Sequence, residues 1–242
     1  MLSLKHTSSA FISRPYPIPG RKFRLASRAC AFSSSTRHSS PPSDALVSQI
    51  IRPKRLIVGI TGATGSLFSI RLLQVLRTLD IETHLVMSKW ALPTMKYEVP
   101  NVTEADVRSL ATHNYTYKDM SAPPSSGSFL HDGMVIVPCS MKTLAAIRIG
   151  FCDDLISRSA DVCLKEGRKL LIVPRETPLS DIHLENMLYL KRAGATIFPP
   201  VPAFYIRPKS IEDLVDQTVG RMLDQLGIHT SDLSRWNGFQ KP

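Results

Sequence analysis

Arg55-Leu-Ile-Val-Gly-Ile-Thr-Gly-Ala-Thr-Gly-Ser-Leu-Phe-Ser-Ile-Arg-Leu-Leu73 is the stretch that decides the fold. Residues 56–60 form a short apolar, β-branched run of the kind buried on both faces of a sheet. Residues 61–65 are a turn of small side chains, and from Ser66 onward Leu67, Ile70, Leu73 and Leu76 recur at helical spacing. Strand, glycine turn and helix start together make an anion-binding element. The glycines let the backbone approach, and free N–H groups at the positive end of the helix dipole hold the charge. The spacing is Gly59-x-x-Gly62-x-x-Gly65, which is not the GxGxxG dinucleotide fingerprint. Taken alone, the turn fits either a nucleotide or flavin phosphate or a merely tight strand-to-helix connection.

Outward from this turn, strands and helices alternate. A second strand over 81–87 ends at Met87-Ser88 with no carboxylate, where a dinucleotide fold expects an acid for the ribose hydroxyl. Helices are expected at 91–98 and at 104–111, the latter capped by Thr103, and residues 113–128 read as a polar surface loop. The strand at 134–137 runs into Pro138-Cys139-Ser140-Met141-Lys142-Thr143, a second turn rich in hydroxyls, and then a helix. Here a simple N-cap by Ser140 or Thr143, with Lys142 solvated, is the plainer reading. The helix at 153–168 carries Arg158 and Lys165, seven residues apart and so on one face. Pairing of Arg158 with Asp154 or Asp161 is the competing account. A strand at 169–173 delivers Arg175 and Glu176 to its carboxyl end, where ligands sit in open α/β sheets. A helix at 180–193, a strand at 195–198, a proline-rich passage at 199–208 and a helix at 211–226 complete the series. The pattern specifies an α/β fold, a doubly wound parallel sheet in a flavodoxin-like or Rossmann-like three-layer sandwich.

The N-terminus behaves differently. Residues 1–43 contain seven Lys or Arg, no Asp or Glu, and many Ser and Pro. That composition cannot bury a core and reads as a mitochondrial transit peptide, giving a leader and linker over 1–50 and a folded domain over 51–242. Of the formal charge of +10, seven units sit in this leader, so the remainder is nearly balanced and does not favour nucleic acid. The four cysteines form no CxxC pair and no metal-ligand spacing, as in a reducing compartment. No apolar run approaches the roughly 18 residues of a membrane span.

Seven stretches, in order over about residues 55 to 236, carry a specific resemblance. They are Gly-Ile-Thr-Gly-Ala-Thr-Gly (59–65), Ser88-Lys89, Pro-Cys-Ser-Met-Lys-Thr-Leu-Ala (138–145) and Arg158-x-Ala-Asp-Val-Cys-Leu-Lys165. Arg-Glu-Thr-Pro-Leu (175–179), His-Leu-Glu-Asn-Met-Leu (183–188) and Pro-Ala-Phe-Tyr (202–205) follow. The chain thereby resembles the UbiX-type flavin prenyltransferases, formerly called phenylacrylic or aromatic acid decarboxylases, in a fungal mitochondrial form. The resemblance implies transfer of a dimethylallyl group from dimethylallyl monophosphate to reduced FMN. The product, prenylated FMN, serves a partner UbiD-type decarboxylase. It further implies a large homo-oligomer such as a dodecamer.

Carried over by position, Gly62, Ala63 and Thr64 line the flavin, and Ser88, Ser140, Met141, Lys142, Thr143 and Arg175 help hold FMN. Arg158, Lys165, Tyr205 and Arg221 resemble the clamp on the prenyl phosphate, partly supplied across a subunit interface. Glu98 and Glu176 match the acidic pair near the flavin, and Trp236 matches a C-terminal aromatic. Thr64 departs from the family, which often has Ser there, although a hydroxyl is kept. The chemistry accords with these residue types. Departure of an allylic phosphate leaves a cation and an anion; cationic and hydroxyl side chains hold the anion, and aromatic faces such as Trp90 or Trp236 stabilise the cation. Ring closure needs proton transfers, for which a buried carboxylate such as Glu176 is suited. A monophosphate does not demand the Mg²⁺ of diphosphate chemistry, and no metal is expected. Two other readings stand beside this one. A non-catalytic FMN-binding subunit would not need the phosphate clamp. An NADP-dependent short-chain reductase would need Tyr205 and Lys209 on one helix, with Pro208 between them.

Overall fold

The structure is a computed structural model that describes residues 52–231 and 233–238. The leader, its boundary near residue 50 and Cys30 lie outside the described residues.

Among the described residues, strands and helices alternate as β1 (Arg55–Ile60), α1 (Ser66–Thr78), β2 (Glu82–Met87), α2 (Ala91–Glu98), α3 (Glu104–Ser109), β3 (His113–Thr116) and β4 (Gly133–Cys139). They continue as α4 (Met141–Arg148), α5 (Leu155–Lys165), β5 (Leu170–Pro174), α6 (Asp181–Arg192), β6 (Thr196–Ile197) and α7 (Ile211–Gln225). All five pairings are parallel, in the order β3-β2-β1-β4-β5-β6. The five expected strands are present and stand in the flavodoxin-like order 2-1-3-4-5. The sixth, β3, comes from the stretch read as a surface loop. His-Asn-Tyr-Thr is polar and mostly exposed, and it pairs with β2 alone, so an edge strand here leaves no apolar alternation to read.

Alternate strand residues feed two cores. Leu56, Val58, Ile60, Val135 and Val137 pack with Leu72, Leu73 and Leu76 of α1 and Val219, Met222 and Leu223 of α7. Ile57, Met134 and Ile136 pack on the other face with Leu144 of α4, Leu155, Ile156 and Ala160 of α5, and Leu190 of α6. The sheet thus divides the molecule into an α1/α7 face and an α4/α5/α6 face. Nearly continuous apolar strands are the direct consequence of burial on both sides.

Capping sets where the helices begin. Asp154 accepts the Ser157 amide at 2.8 Å through Oδ1, so α5 starts at Leu155 and not at the expected 153. Ser180 and Ser210 cap α6 and α7 in the same reciprocal manner.

Candidate active site

β1 is flanked by β2 on one side and β4 on the other, and the helices that follow β1 and β4 pack on opposite faces of the sheet. Such a switch point opens a crevice beyond the carboxyl ends of the two strands. The two motifs that border it are stitched together by Thr61, which is buried. Its Oγ1 donates to the Pro138 carbonyl (2.8 Å) and accepts the Ser140 amide (2.8 Å). Ser140 caps α4: its Oγ accepts the Thr143 amide at 3.3 Å and donates to Thr143 Oγ1 at 3.1 Å. The plain N-cap reading of Ser140 is therefore correct as local structure. Lys142 is exposed and lies 3.7 Å from Asp153, while Met141 is half-buried against the α4/α5/α6 core. Ser88, half-buried, follows β2 and donates its amide to Ile60 (2.9 Å), so it borders the same crevice.

Across the glycine turn lies Glu98, the last residue of α2. Its carboxylate accepts the Gly65 amide at 3.0 Å on each oxygen and the Ser66 amide at 2.7 Å. Burial pushes the Glu98 carboxyl up, but hydrogen bonds from the Thr64 and Ser66 side chains and the Ser66 and Gly65 amides outweigh that and hold it below the usual carboxylate range. The turn does bind an anion, as its sequence indicates, and two of its amides take one supplied by the chain itself. A ligand is left the remainder of the turn, Gly62 to Thr64, with Ser88 and the start of α4. Gly65, at φ +112°, turns the chain into α1 in a conformation that favours glycine. Gly62 is glycine for a different reason: a Cβ there would stand 2.4 Å from Trp90 Cβ. Thr94 fastens the same joint, donating to the Gly62 carbonyl at 3.1 Å.

Arg175 and Glu176 leave the end of β5 beside this crevice, the Arg175 amide bonded to Cys139 at 3.3 Å. Both side chains are exposed, and Glu176 accepts the neighbouring Thr177 amide at 3.0 Å. The expectation of a buried Glu176 is corrected in the protomer. Residues 175–180 are all exposed.

The four proposed clamp residues fall into two pairs. On α5, half-buried Arg158 donates to the Ser125 carbonyl (3.0 Å) and to Asp161 (2.8 Å), and Lys165 pairs with Glu166. Asp161 is thus the acidic partner of Arg158, and Asp154 is the helix cap. A Cβ on Gly127 would lie 2.7 Å from Lys165 Nζ, so both cations border the loop at 125–127. On the opposite face of the sheet, Tyr205 lies in a 3₁₀ turn (Phe204–Ile206), and its hydroxyl accepts from Gln217 of α7 at 2.8 Å. Arg221, on α7, is half-exposed and stands 3.5 Å from Asp224, while Asp216 of the same helix pairs with Arg71. Within one protomer the two pairs therefore stand on helices at opposite faces of the sheet. The 3₁₀ turn ends at Arg207 with φ +52°, so Tyr205 and Lys209 share no helix, and the short-chain reductase reading fails.

Sequence reasoning missed one grouping. Glu82, His84 and His113 converge at the start of β2 and β3, the end of the sheet away from the crevice, where Arg55 also pairs with Glu82 at 2.9 Å. Register across a strand pair, which the sequence does not display, brings His84 opposite His113.

The crevice offers helix-start hydroxyls, cations and a broad exposed Trp90, a donor set that fits a phosphate-bearing planar ligand such as FMN. Comparison with known proteins agrees. The Flavoprotein family profile matches residues 45–223. The flavin prenyltransferase PAD1, mitochondrial, of Saccharomyces cerevisiae is 65% identical over 189 residues, 78% of each chain. The crystal structure of AnUbiX (PadA1) in complex with FMN and dimethylallyl pyrophosphate is 62% identical, covering 78% of this chain and all of that one at a TM-score of 0.77. A dodecameric FMN-dependent UbiX-like decarboxylase from Escherichia coli O157:H7 is 54% identical, covering 76% and 100% at a TM-score of 0.74. The chain belongs to the flavoprotein family, among its UbiX-like flavin prenyltransferases.

Proposed function

We infer that this chain is a flavin prenyltransferase, joining a dimethylallyl group from dimethylallyl monophosphate to reduced FMN. The observation that carries the reading is the joining of the two motif turns at the switch point by Thr61, with Glu98 held against the first of them. When bound, reduced FMN supplies the nucleophilic N5 and C6 at which the prenyl carbons attach. Gly62, Ala63, Thr64, Ser88, Ser140 to Thr143 and Arg175 hold and orient it. Arg158, Lys165, Tyr205 and Arg221 take the developing charge of the leaving phosphate, which favours its departure in a preorganised setting. Glu98, kept ionised by its donors, accepts from the Thr64 hydroxyl and so holds that side chain in place, and Glu176 stands by to move a proton.

The two clamp pairs lie on opposite faces of the sheet, so a complete clamp needs residues from more than one protomer. The dodecameric relative supports such an assembly. The remaining parts of the reading are delivery of prenylated FMN to a UbiD-type decarboxylase and removal, on import into mitochondria, of a transit peptide that lies within residues 1–50. The mitochondrial relative from yeast supports the latter. A non-catalytic flavin-binding subunit accounts for the crevice but not for the clamp cations.

The test is incubation of the oligomer with reduced FMN and a prenyl donor, followed by a product mass. Because AnUbiX was crystallised with the pyrophosphate, both dimethylallyl phosphate and dimethylallyl pyrophosphate are offered. A flavin heavier by one dimethylallyl group is expected. Unmodified FMN with either donor, from protein that binds flavin, overturns the reading in favour of the binding subunit.

A further inference from the structure

Asp224 occupies an improbable place for an acid. It is in the last turn of α7, where the helix dipole disfavours negative charge, yet its side chain is only 8% exposed. Two arginines and a histidine surround it. Arg235 of the C-terminal tail forks onto both oxygens at 2.9 Å, His229 contacts Oδ1 at 2.8 Å, and Arg221 approaches Oδ2 at 3.5 Å. The Arg235 bond first, and the His229 bond after it, hold the Asp224 carboxyl down to about 2.

The tail is closed onto α7 at a second point. Gly220 sits in the middle of the helix, where glycine costs about 1 kcal/mol relative to alanine. A Cβ there would stand 2.5 Å from Cδ1 of Leu233, which is buried. Just beyond, Trp236 meets the Tyr205 ring edge-to-face with centroids 5.8 Å apart. Tyr205 is itself tied to α7 through Gln217. α7 therefore fixes Tyr205 through Gln217 and the tail through Asp224, and Trp236 closes the circuit between them. Within this arrangement the Arg221 contact is the longest that Asp224 makes. Arg235 and His229 occupy the carboxylate, leaving the Arg221 guanidinium close by but loosely held.

We propose that Asp224 is a positioning residue of the prenyl-phosphate clamp. By clasping Arg235 it seats Trp236 against Tyr205, and by being occupied it leaves Arg221 oriented and free to engage the phosphate of the donor. The proposal rests on the reading that Tyr205 and Arg221 hold that phosphate. It goes beyond that reading in assigning the tail and Asp224 a part in the site. An acid beside a phosphate-binding arginine ordinarily weakens the binding of an anion; here the Arg235 fork already neutralises it.

The experiment uses the full oligomer with reduced FMN and dimethylallyl phosphate and compares Asp224→Asn, Arg235→Gln, the double variant and Arg221→Ala. Asp224→Asn is expected to raise KM for the prenyl donor roughly 10-fold or more, the scale of one lost charged hydrogen bond, with flavin affinity within about twofold of wild type. Trypsin is expected to cut faster after Arg235, releasing residues 236–242, which mass spectrometry identifies. The double variant is expected to be no worse than the poorer single one, because both break the same clasp. Faster cleavage with KM unmoved overturns the proposal, since the clasp would then position nothing; so do losses that simply add. If Asp224→Asn does not fold, Arg235→Gln on the exposed tail carries the same KM readout. The underlying reading is tested separately. An Arg221→Ala enzyme with unaltered kinetics sinks the clamp and the proposal with it, whereas a defective Arg221→Ala beside a silent Asp224→Asn sinks the positioning role alone.

Discussion

Replacing Glu98 by Gln removes the anion that the chain has placed in its own glycine turn. The carboxylate accepts Gly65 at 3.0 Å and Ser66 at 2.7 Å, and the Thr64 hydroxyl bonds it as well. A carboxamide keeps one accepting oxygen and turns an NH₂ group towards donors that it cannot satisfy. One charge-assisted bond is lost, worth about 1.5–3 kcal/mol, and the attraction to the α1 N-terminus falls by about 0.5 kcal/mol. Half-exposure places the total near the lower end, about 2 kcal/mol. For a domain of this size that lowers the melting midpoint by roughly 4–8 °C. Thermal unfolding of the flavin-free protein, at matched concentration so that assembly is constant, reads this directly. The pH dependence supplies a second check. The folded-state pKa of Glu98 is depressed, so its contribution is complete above the ordinary carboxylate value of 4.5 and is lost as pH falls through the lower folded value. The gap between wild type and Glu98→Gln should therefore narrow only in acid. A midpoint within about 1 °C of wild type at pH 7, or a gap that persists undiminished in strong acid, refutes the account of the turn.

Gly62→Ala forces a methyl to 2.4 Å from Trp90 Cβ, which moves only with its backbone, so it should cost about 1–3 kcal/mol and weaken flavin uptake measured by fluorescence quenching. Arg221→Ala should leave flavin binding near wild type but lower turnover efficiency for dimethylallyl phosphate by roughly 30- to 150-fold. Arg158→Ala and Arg221→Ala oligomers, each defective alone, should regain part of wild-type activity when dissociated and reassembled together, because the two pairs lie on opposite faces of the sheet; no recovery in verified mixed oligomers argues against a shared clamp. Asp224, held at about 2 against an ordinary 3.8, stabilises the fold fully above that ordinary value and loses its contribution as pH falls through about 2. Asp224→Asn should accordingly flatten the acid limb of the melting profile between roughly pH 4 and 2.

The sequence by itself determined the α/β class, the five central strands and the two turns that meet at the crevice. Apolar β-branched runs buried on both faces, and helices with caps and 3.6-residue periodicity, are local signals that survive in one dimension. It also located the residues that border the crevice, since a glycine turn and a hydroxyl-rich helix start carry their chemistry within a few positions. Tertiary structure alone decided which partners those residues find. That Glu98 enters the turn follows from α2 folding back across α1, some 33 residues away in the chain. The exposure of Glu176, the edge strand β3, the convergence of Glu82, His84 and His113, and the docking of the tail on Asp224 are likewise products of register and packing between distant segments. The separation of the proposed clamp residues has the same origin. Arg158 and Arg221 look equivalent in sequence, each a cation on a helix with an acid three residues on. Only the path of the chain separates them: α5 lies in the crossover from β4 to β5, whereas α7 follows the last strand and packs beside α1 on the other face of the sheet.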